Sequence, residues 1–174
     1  MGSIREGILG LLLFFSNWIS PVKEQASLEV EKISRADKHY VIQCEMDIAW
    51  NRQLEQLVDA GIPLRFRMQV SSRKDSSVFF RTLSFNLADL TYSFLDSSSD
   101  QTVRSRQYPM ILLALRDFCR WSMVVSTSSG ECRIEAAILP SRAEQLNRLV
   151  DMSKIWGREK LICIIDPQKE AVER

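Results

Sequence analysis

Apolar and polar residues alternate along three segments of the chain. The apolar positions of these segments are Tyr40, Ile42, Cys44, Met46 and Ile48; Leu64, Phe66, Met68 and Val70; and Cys132, Ile134, Ala136 and Ile138. Successive side chains of a β-strand point to opposite faces of the sheet. The alternation therefore predicts three antiparallel strands, each with one face toward a core and the other toward water.

Shorter segments predict further strands between these three. They are residues 28–33, 78–87, 90–95, 103–107, 122–126 and 161–165. The first is predicted to be an edge strand, and the second and third to be one bent strand or two strands joined at residues 86–89. The polar turn at residues 127–130 predicts a hairpin between the strand before it and the Cys132 strand. The continuous apolar run at 161–165 predicts a strand covered on both faces.

Three short helices are predicted among the strands. The first is capped by Asn51, runs through Ala60 and ends at Gly61. The second begins near Pro109, with Leu112, Leu115, Phe118 and Cys119 facing inward. The third is capped by Ser141, with Ala143, Leu146, Leu149 and Val150 as its apolar stripe.

Together these elements predict a mainly β fold, an antiparallel β-sandwich-like domain of seven or eight strands with two or three short helices. The domain spans residues 27–167 and is followed by a charged tail at 168–174. The first helix is predicted to carry the chain from one sheet to the other.

The first 26 residues form a separate region, consisting of a weakly charged start, an apolar run over residues 8–19 and a polar linker. Twelve helical residues span roughly 18 Å, which is short of a hydrocarbon core of about 30 Å. The layout indicates an export segment, either cleaved as a signal peptide or retained as a short membrane anchor. The alternative is a buried amphipathic first helix. We therefore expect an exported protein, periplasmic or anchored to the inner membrane.

Composition and charge narrow the classes of function. Apolar residues make up 45% of the 174 residues, which is typical of a globular chain. Twenty-three basic and twenty-two acidic side chains give a net charge of +1, so nucleic-acid binding is not expected. A Ser/His/Asp triad would have to use His39, the single histidine, and no Gly-x-Ser-x-Gly motif occurs. A triad is therefore not expected.

Two carboxylates are the candidates for catalysis. Glu45 and Asp47 lie two residues apart on one strand, about 7 Å apart at Cα, a spacing at which paired carboxylates can cleave glycosides. The favoured interpretation is a solvated sheet face, on which Arg65, Arg67 and Arg133 supply cross-strand charge pairs.

The cysteines and aromatic residues also have two interpretations each. The cysteines, at positions 44, 119, 132 and 163, lack Cys-x-x-Cys spacing, so a zinc site is not expected. Buried free thiols are favoured, while an oxidising compartment also permits disulfides, with Cys44 and Cys132 as one pair. The scattered aromatic residues favour core packing over a stacking platform; they are Trp50, Trp121, Trp156, Tyr40, Tyr92 and Tyr108.

The order of several segments resembles a known family. The segments are Ser27-Leu28-Glu29-Val30, Tyr40-Val41-Ile42, Leu57 to Phe66 with its Gly61-Ile62-Pro63-Leu64 core, Leu90-Thr91-Tyr92, Pro109 to Phe118, Arg120-Trp121, and Ala137-Ile138-Leu139-Pro140. They resemble the bacterial domain of unknown function 4390 family, small exported or membrane-attached proteins without an assigned activity. The resemblance covers residues 27–165 and implies an envelope location, but no catalytic residues. The stretch Ser71 to Ser76 lacks the tryptophan of the family's Arg- and Trp-rich segment, so that segment's surface role is not carried over.

The function predicted from the sequence is that of a non-enzymatic envelope protein that binds or scaffolds another protein, without a cofactor or metal. The alternative is a small-ligand or lipid-binding module whose strands enclose a cavity. A third hypothesis is an enzyme of unfamiliar type that uses Glu45 and Asp47.

Overall fold

The computed structural model describes residues 26–48, 50–73, 75–98, 104–126, 130–143, 148–153 and 159–171. Within them the chain is mainly β, with antiparallel strands, as predicted. The eleven strands are β1 (Ser27–Ala36), β2 (His39–Asp47), β3 (Leu64–Ser71), β4 (Ser76–Asn86), β5 (Thr91–Ser98), β6 (Arg104–Tyr108), β7 (Arg120–Ser126), β8 (Cys132–Leu139), β9 (Ser141–Ala143), β10 (Arg148–Val150) and β11 (Leu161–Ile165). The three helices are α1 (Arg52–Asp59), α2 (Ile111–Phe118) and α3 (Pro167–Glu170).

Two main sheets share one core. The first has the strand order β1-β2-β7 and the second β11-β8-β3-β4-β5-β6, while β9 and β10 form a small separate pair. The alternating apolar residues of β2, β3 and β8 are all buried and belong to a single hydrophobic cluster. The three strands predicted from alternation are therefore confirmed, as is the edge position of β1.

Helix α1 carries the chain between the two sheets, as predicted. The Asn51 side chain caps it by accepting hydrogen bonds from the backbone N–H groups of Gln53 and Leu54, both at 3.0 Å. Gly61 ends it with a φ of +86°, a conformation that glycine adopts without steric cost. The Tyr92 hydroxyl donates to the Asp59 carboxylate at 2.7 Å and ties the end of α1 to β5.

Helix α2 covers the half of the larger sheet that the three-stranded sheet leaves open, because it contacts β4, β5 and β6. Its inward residues are Ala114, Leu115 and Phe118. The prediction that Leu112 faces inward is wrong, since 65% of that residue is exposed. The helix begins at Ile111, and the 3.6-residue period from there places Leu112 on the solvent side.

Two other predictions are corrected by the strand pairing. Strands β7 and β8 do not form a hairpin, because β7 pairs with β2 and β8 pairs with β3 and β11. The turn composition of the sequence between them does not determine which strands pair. Strand β11 is an edge strand with one exposed face, since Ile162 and Ile164 are 44% and 58% exposed.

The third predicted helix is wrong as well. Ser141 begins strand β9, which pairs with β10, so the number of strands rises above the seven or eight predicted. Its side chain is fully buried instead of capping a helix. In β10 the exposed Leu149 alternates with the buried Val150, as in a strand. Leu146 lies outside the described residues.

The predicted export segment, residues 1–25, lies outside the described residues, and the following Ala26 is buried. At the other end, the region predicted to be a charged tail contains most of helix α3, which Asp166 caps through the Gln168 N–H at 3.1 Å. Among the described residues, no helix is long and apolar enough to cross a membrane.

Candidate binding cleft

A cleft of about 320 Å³ opens between the two sheets at one end of the domain. The start of β2, the end of β7 and the turn from β3 to β4 meet there. Its lining residues are His39, Val70, Ser72, Asp75, Ser76, Ser77, Val124, Val125 and Ser126. Below we call this space the end cleft. Its volume is at the lower end of the range for small-molecule sites, roughly 300–1,000 Å³.

The end cleft combines an apolar part with polar groups. Val70, Val124 and Val125 provide the apolar surface, whereas serine hydroxyls, His39 and Asp75 supply hydrogen-bonding groups. The turn that carries part of this lining is fixed by its own bonds. The Ser72 N–H donates to the Asp75 carbonyl at 2.8 Å, and the Asp75 N–H donates to the Ser72 hydroxyl at 3.1 Å.

Strand β7 forms one wall of the end cleft, and its outer edge has no neighbouring strand among the described residues. The Met46 N–H donates to the Cys119 carbonyl at 3.0 Å. This bond shows which residues of β7 point their backbone groups toward β2. In an antiparallel pair, backbone groups of alternate residues point toward and away from the partner strand. The N–H and C=O groups of Ser122 and Val124 therefore point away from β2. The Arg120 carbonyl also points away from β2, and it accepts a hydrogen bond from Arg81 on the other sheet.

The edge of β7 differs from the edges of β1 and β6, whereas β11 is an uncharged edge strand of only five residues. Strand β1 carries charged residues and an irregularity between Val30 and Lys32, and β6 has only five residues, including Arg104 and Arg106. Charges, bulges and short length are the usual means of blocking strand addition. Along β7, Ser122 and Val124 are uncharged and exposed. Within the part of the chain that the structure describes, this edge is therefore open to another strand.

The start of β7 is held by Arg81, a buried arginine in the middle of β4 that is 8% exposed. Its guanidinium forms a two-point pair with Asp96, the residue opposite it on β5, with Nη2 2.9 Å from Oδ2. Its Nη1 lies 3.1, 2.7 and 2.6 Å from the carbonyl oxygens of Asp117, Phe118 and Arg120. Since the last carbonyls of a helix lack partners within the helix, Arg81 satisfies the end of α2 and fixes it to the sheet.

Aromatic rings and a second charged group surround Arg81. The guanidinium carbon lies 4.2 Å from the ring centre of Trp121 and 5.1 Å from that of Phe94. Nearby, the Tyr108 hydroxyl donates to Asp117 at 2.6 Å. This hydrogen bond, with the charges of Arg116 and Arg106, keeps the pKa of Asp117 below its usual value.

The predicted catalytic carboxylates do not lie in the end cleft. Glu45 and Asp47 are near the other end of β2, and Glu45 pairs with Arg120 at 3.8 Å. Arg67 and Arg133 pair instead with Glu135, at 3.6 and 3.4 Å. Charge pairs between neighbouring strands are thus present, but Glu45 pairs with Arg120 instead of the predicted arginines. Among the predicted candidates, the end cleft contains only His39.

All four cysteines are free thiols. Burial raises the pKa of Cys44 and of Cys119 to about 12, and also raises the pKa of Cys132 and Cys163. Because the thiolate is the reactive form, we expect slow alkylation of the native protein at neutral pH. After denaturation without reductant, mass spectrometry should find label on all 4 cysteines. Full labelling of fewer sites would indicate a disulfide.

The aromatic residues pack against the core, as favoured by the sequence. Tyr40 and Trp121 are in the buried cluster, and Trp50, Tyr92 and Tyr108 are packed against it. Trp156 lies outside the described residues. No cluster of three or more metal-ligating side chains occurs in the part of the chain that the structure describes.

Sequence reasoning missed the two features that define this region. The position of Arg81 could have been recognised, because it stands between Phe79 and Leu83 on the inward face of an alternating segment. A charged residue at such a position indicates a buried partner. The open edge of β7 had no sequence signal, since the polar turn after it indicated a hairpin with β8.

Comparison with protein-family models, curated proteins and solved structures finds no match. The resemblance to the family of unknown function therefore stays a prediction.

Proposed function

We propose that this protein is a non-enzymatic binding domain of the cell envelope that takes up an extended segment of another protein at the open edge of β7. The observation that carries the proposal is the pair of outward-facing backbone groups at Ser122 and Val124, next to the end cleft. An added strand would satisfy these groups, in the recognition mode known as β-augmentation.

Contacts in the end cleft would make the binding of such a segment depend on its sequence. Alternate side chains of an added strand point to opposite faces. One set would point over Val70 and Val125, and the cleft has room for small or β-branched apolar side chains. Backbone hydrogen bonds contribute about 0.5–1.5 kcal/mol each, so the side-chain contacts decide which segment binds well.

The envelope location rests on the apolar run at residues 8–19 and on the family resemblance. Both favour an exported protein that stays periplasmic or is held at the inner membrane. Fractionation of untagged cells tests this part separately. A wholly cytosolic protein that retains residues 1–19 would contradict it.

Site-specific photocrosslinking tests the binding proposal. A diazirine-bearing amino acid at Ser122, in the full-length chain expressed in its own cells, should give a discrete protein adduct. The matched control is the same amino acid at Arg65, which is exposed on the outer face of β3. The proposal predicts an adduct at Ser122 only, with a peptide from one extended region. Equal patterns at both positions would refute it.

The second candidate is a small-ligand or lipid-binding module, and the volume of the end cleft favours it. Native mass spectrometry of gently extracted protein separates the two. A constant added mass below that of a peptide, lost when Val125 is replaced by Trp to fill the cleft, would favour the ligand. Absence of added mass together with a Ser122 adduct would favour the protein segment.

A further inference from the structure

Five large apolar residues are exposed at the end of the domain opposite the end cleft. They are Leu87, Leu90, Met110, Leu112 and Leu113, which are 40%, 66%, 55%, 65% and 38% exposed. We call this set the apolar end patch. Single exposed apolar residues are common, but a group at one place marks a contact surface.

The strand pairing brings these residues to one place. Tyr92 on β5 pairs with Tyr108 on β6. Leu90 is two residues before Tyr92, and Met110 is two residues after Tyr108, so both lie beyond the same end of the sheet. Leu87 is in the same turn as Leu90, and α2 starts directly after Met110.

The chain enters the folded domain at this same end. Strand β2 runs from His39 in the end cleft to Asp47 at the opposite end, and Asp47 pairs with Ser27, the first residue of β1. Strand β4 likewise runs from Ser76 in the end cleft to Asn86, just before the patch. Residues 1–26, with the apolar run at 8–19, are therefore attached at the end that carries the apolar end patch.

Exposed arginines accompany the apolar residues. The side chain of Arg116 on α2 is 63% exposed, and it follows Leu112 and Leu113 by four and three residues, on the same face of the helix. Arg106 on β6 is 57% exposed. Of the acidic residues nearby, Asp117 accepts a hydrogen bond from Tyr108 and pairs with both Arg106 and Arg116, at 3.4 and 3.6 Å. Asp89 accepts a hydrogen bond from Asn86. An apolar helix face with basic residues is typical of a surface that lies in the interface of an anionic membrane.

We propose that the apolar end patch lies in the headgroup region of an anionic lipid bilayer, with the end cleft pointing away from the membrane. This surface is separate from the open edge of β7, so strand addition and membrane contact can fail independently. The membrane contact rests on the envelope location in the proposed function, which the fractionation experiment tests by itself. The bilayer is the occupant because the predicted anchor segment and the patch share one end, and because the exposed side chain of Arg116 lies on the same helix face as Leu112 and Leu113.

The test uses the full-length chain in vesicles of phosphatidylethanolamine and phosphatidylglycerol, with a diazirine-bearing amino acid at Leu112. The matched control position is Ile164, which is 58% exposed on the outer face of β11. We expect a lipid adduct at Leu112 that is roughly ten-fold more abundant than at Ile164. Equal lipid adducts at the two positions, or adducts to a second copy of the chain at Leu112, would overturn the proposal.

A variant that introduces negative charge into the patch gives an independent measurement. With the diazirine at Leu113, the double variant Leu90→Glu/Leu112→Glu should lose most of the lipid adduct, while Ile162→Glu/Ile164→Glu should keep it. Far-UV circular dichroism checks that both variants are folded. The substitutions lie on exposed positions, so folding should be unaffected. A lipid adduct that persists in the first variant would contradict the proposed membrane contact.

Discussion

Replacement of Arg81 by methionine is expected to lower the free energy of unfolding by about 3–5 kcal/mol. Methionine approximately fills the space but leaves Asp96 and the carbonyls of Asp117, Phe118 and Arg120 without their donor. Unpaired polar groups in a largely buried site are costly because water replaces only part of the lost hydrogen bonds. The Phe118 carbonyl is buried, whereas the Asp96 side chain is 33% exposed. Helix α2 and the start of β7 would lose their attachment to the larger sheet.

Urea unfolding of the full-length chain, followed by far-UV circular dichroism, measures this loss. The control is Arg65→Met on the neighbouring strand, an exposed position where we expect a change within about 0.5 kcal/mol. If both substitutions changed stability equally, Arg81 would not hold the two sheets together in the way described.

Truncation of Phe118 to alanine is expected to cost about 3–5 kcal/mol. The ring is fully buried and packs edge-on against Phe66 at 5.6 Å and Phe94 at 6.3 Å between ring centres. Phe66 and Phe94 belong to the larger sheet, so the ring packs α2 directly against that sheet. Its loss leaves a cavity that neighbouring strands cannot close without breaking their pairing.

The same unfolding measurement applies, with Leu112→Ala as the matched control. Leu112 is a large apolar residue on the same helix, but it is 65% exposed. A small effect at Leu112 and a large one at Phe118 would confirm which face of α2 is buried. The reverse order would contradict the fold.

Part of the fold follows from local sequence. Alternation identifies β2, β3 and β8 because one buried face imposes a period of two. The caps at Asn51 and Gly61 identify α1, since each residue satisfies a backbone requirement of a helix end. These signals depend only on neighbouring residues.

Strand pairing depends on residues far apart in sequence, and this is where the predictions failed. The segment after Ser126 has turn composition, yet the chain passes to the other sheet because β2 provides the partner for β7. Ser141 has the character of a helix cap, but β9 continues in extended form after β8. The end cleft results from a three-stranded sheet facing a six-stranded one, which no local pattern encodes.

The central claim is strand addition at the outer edge of β7, and Val124→Pro tests it most directly. Proline removes the outward N–H without removing a bond to β2, as edge strands tolerate. Val124→Thr keeps the N–H and is the control. If Val124→Pro destabilised the protein, Ser122→Pro with the crosslinker at Val124 would replace it.

The measurement is the yield of the protein adduct from the crosslinker at Ser122 in cells, with circular dichroism to confirm folding. We predict that Val124→Pro lowers this yield by roughly ten-fold, which corresponds to the loss of about 1.4 kcal/mol of binding free energy, while Val124→Thr leaves it within about two-fold. An undiminished adduct in folded Val124→Pro would contradict strand addition at this edge.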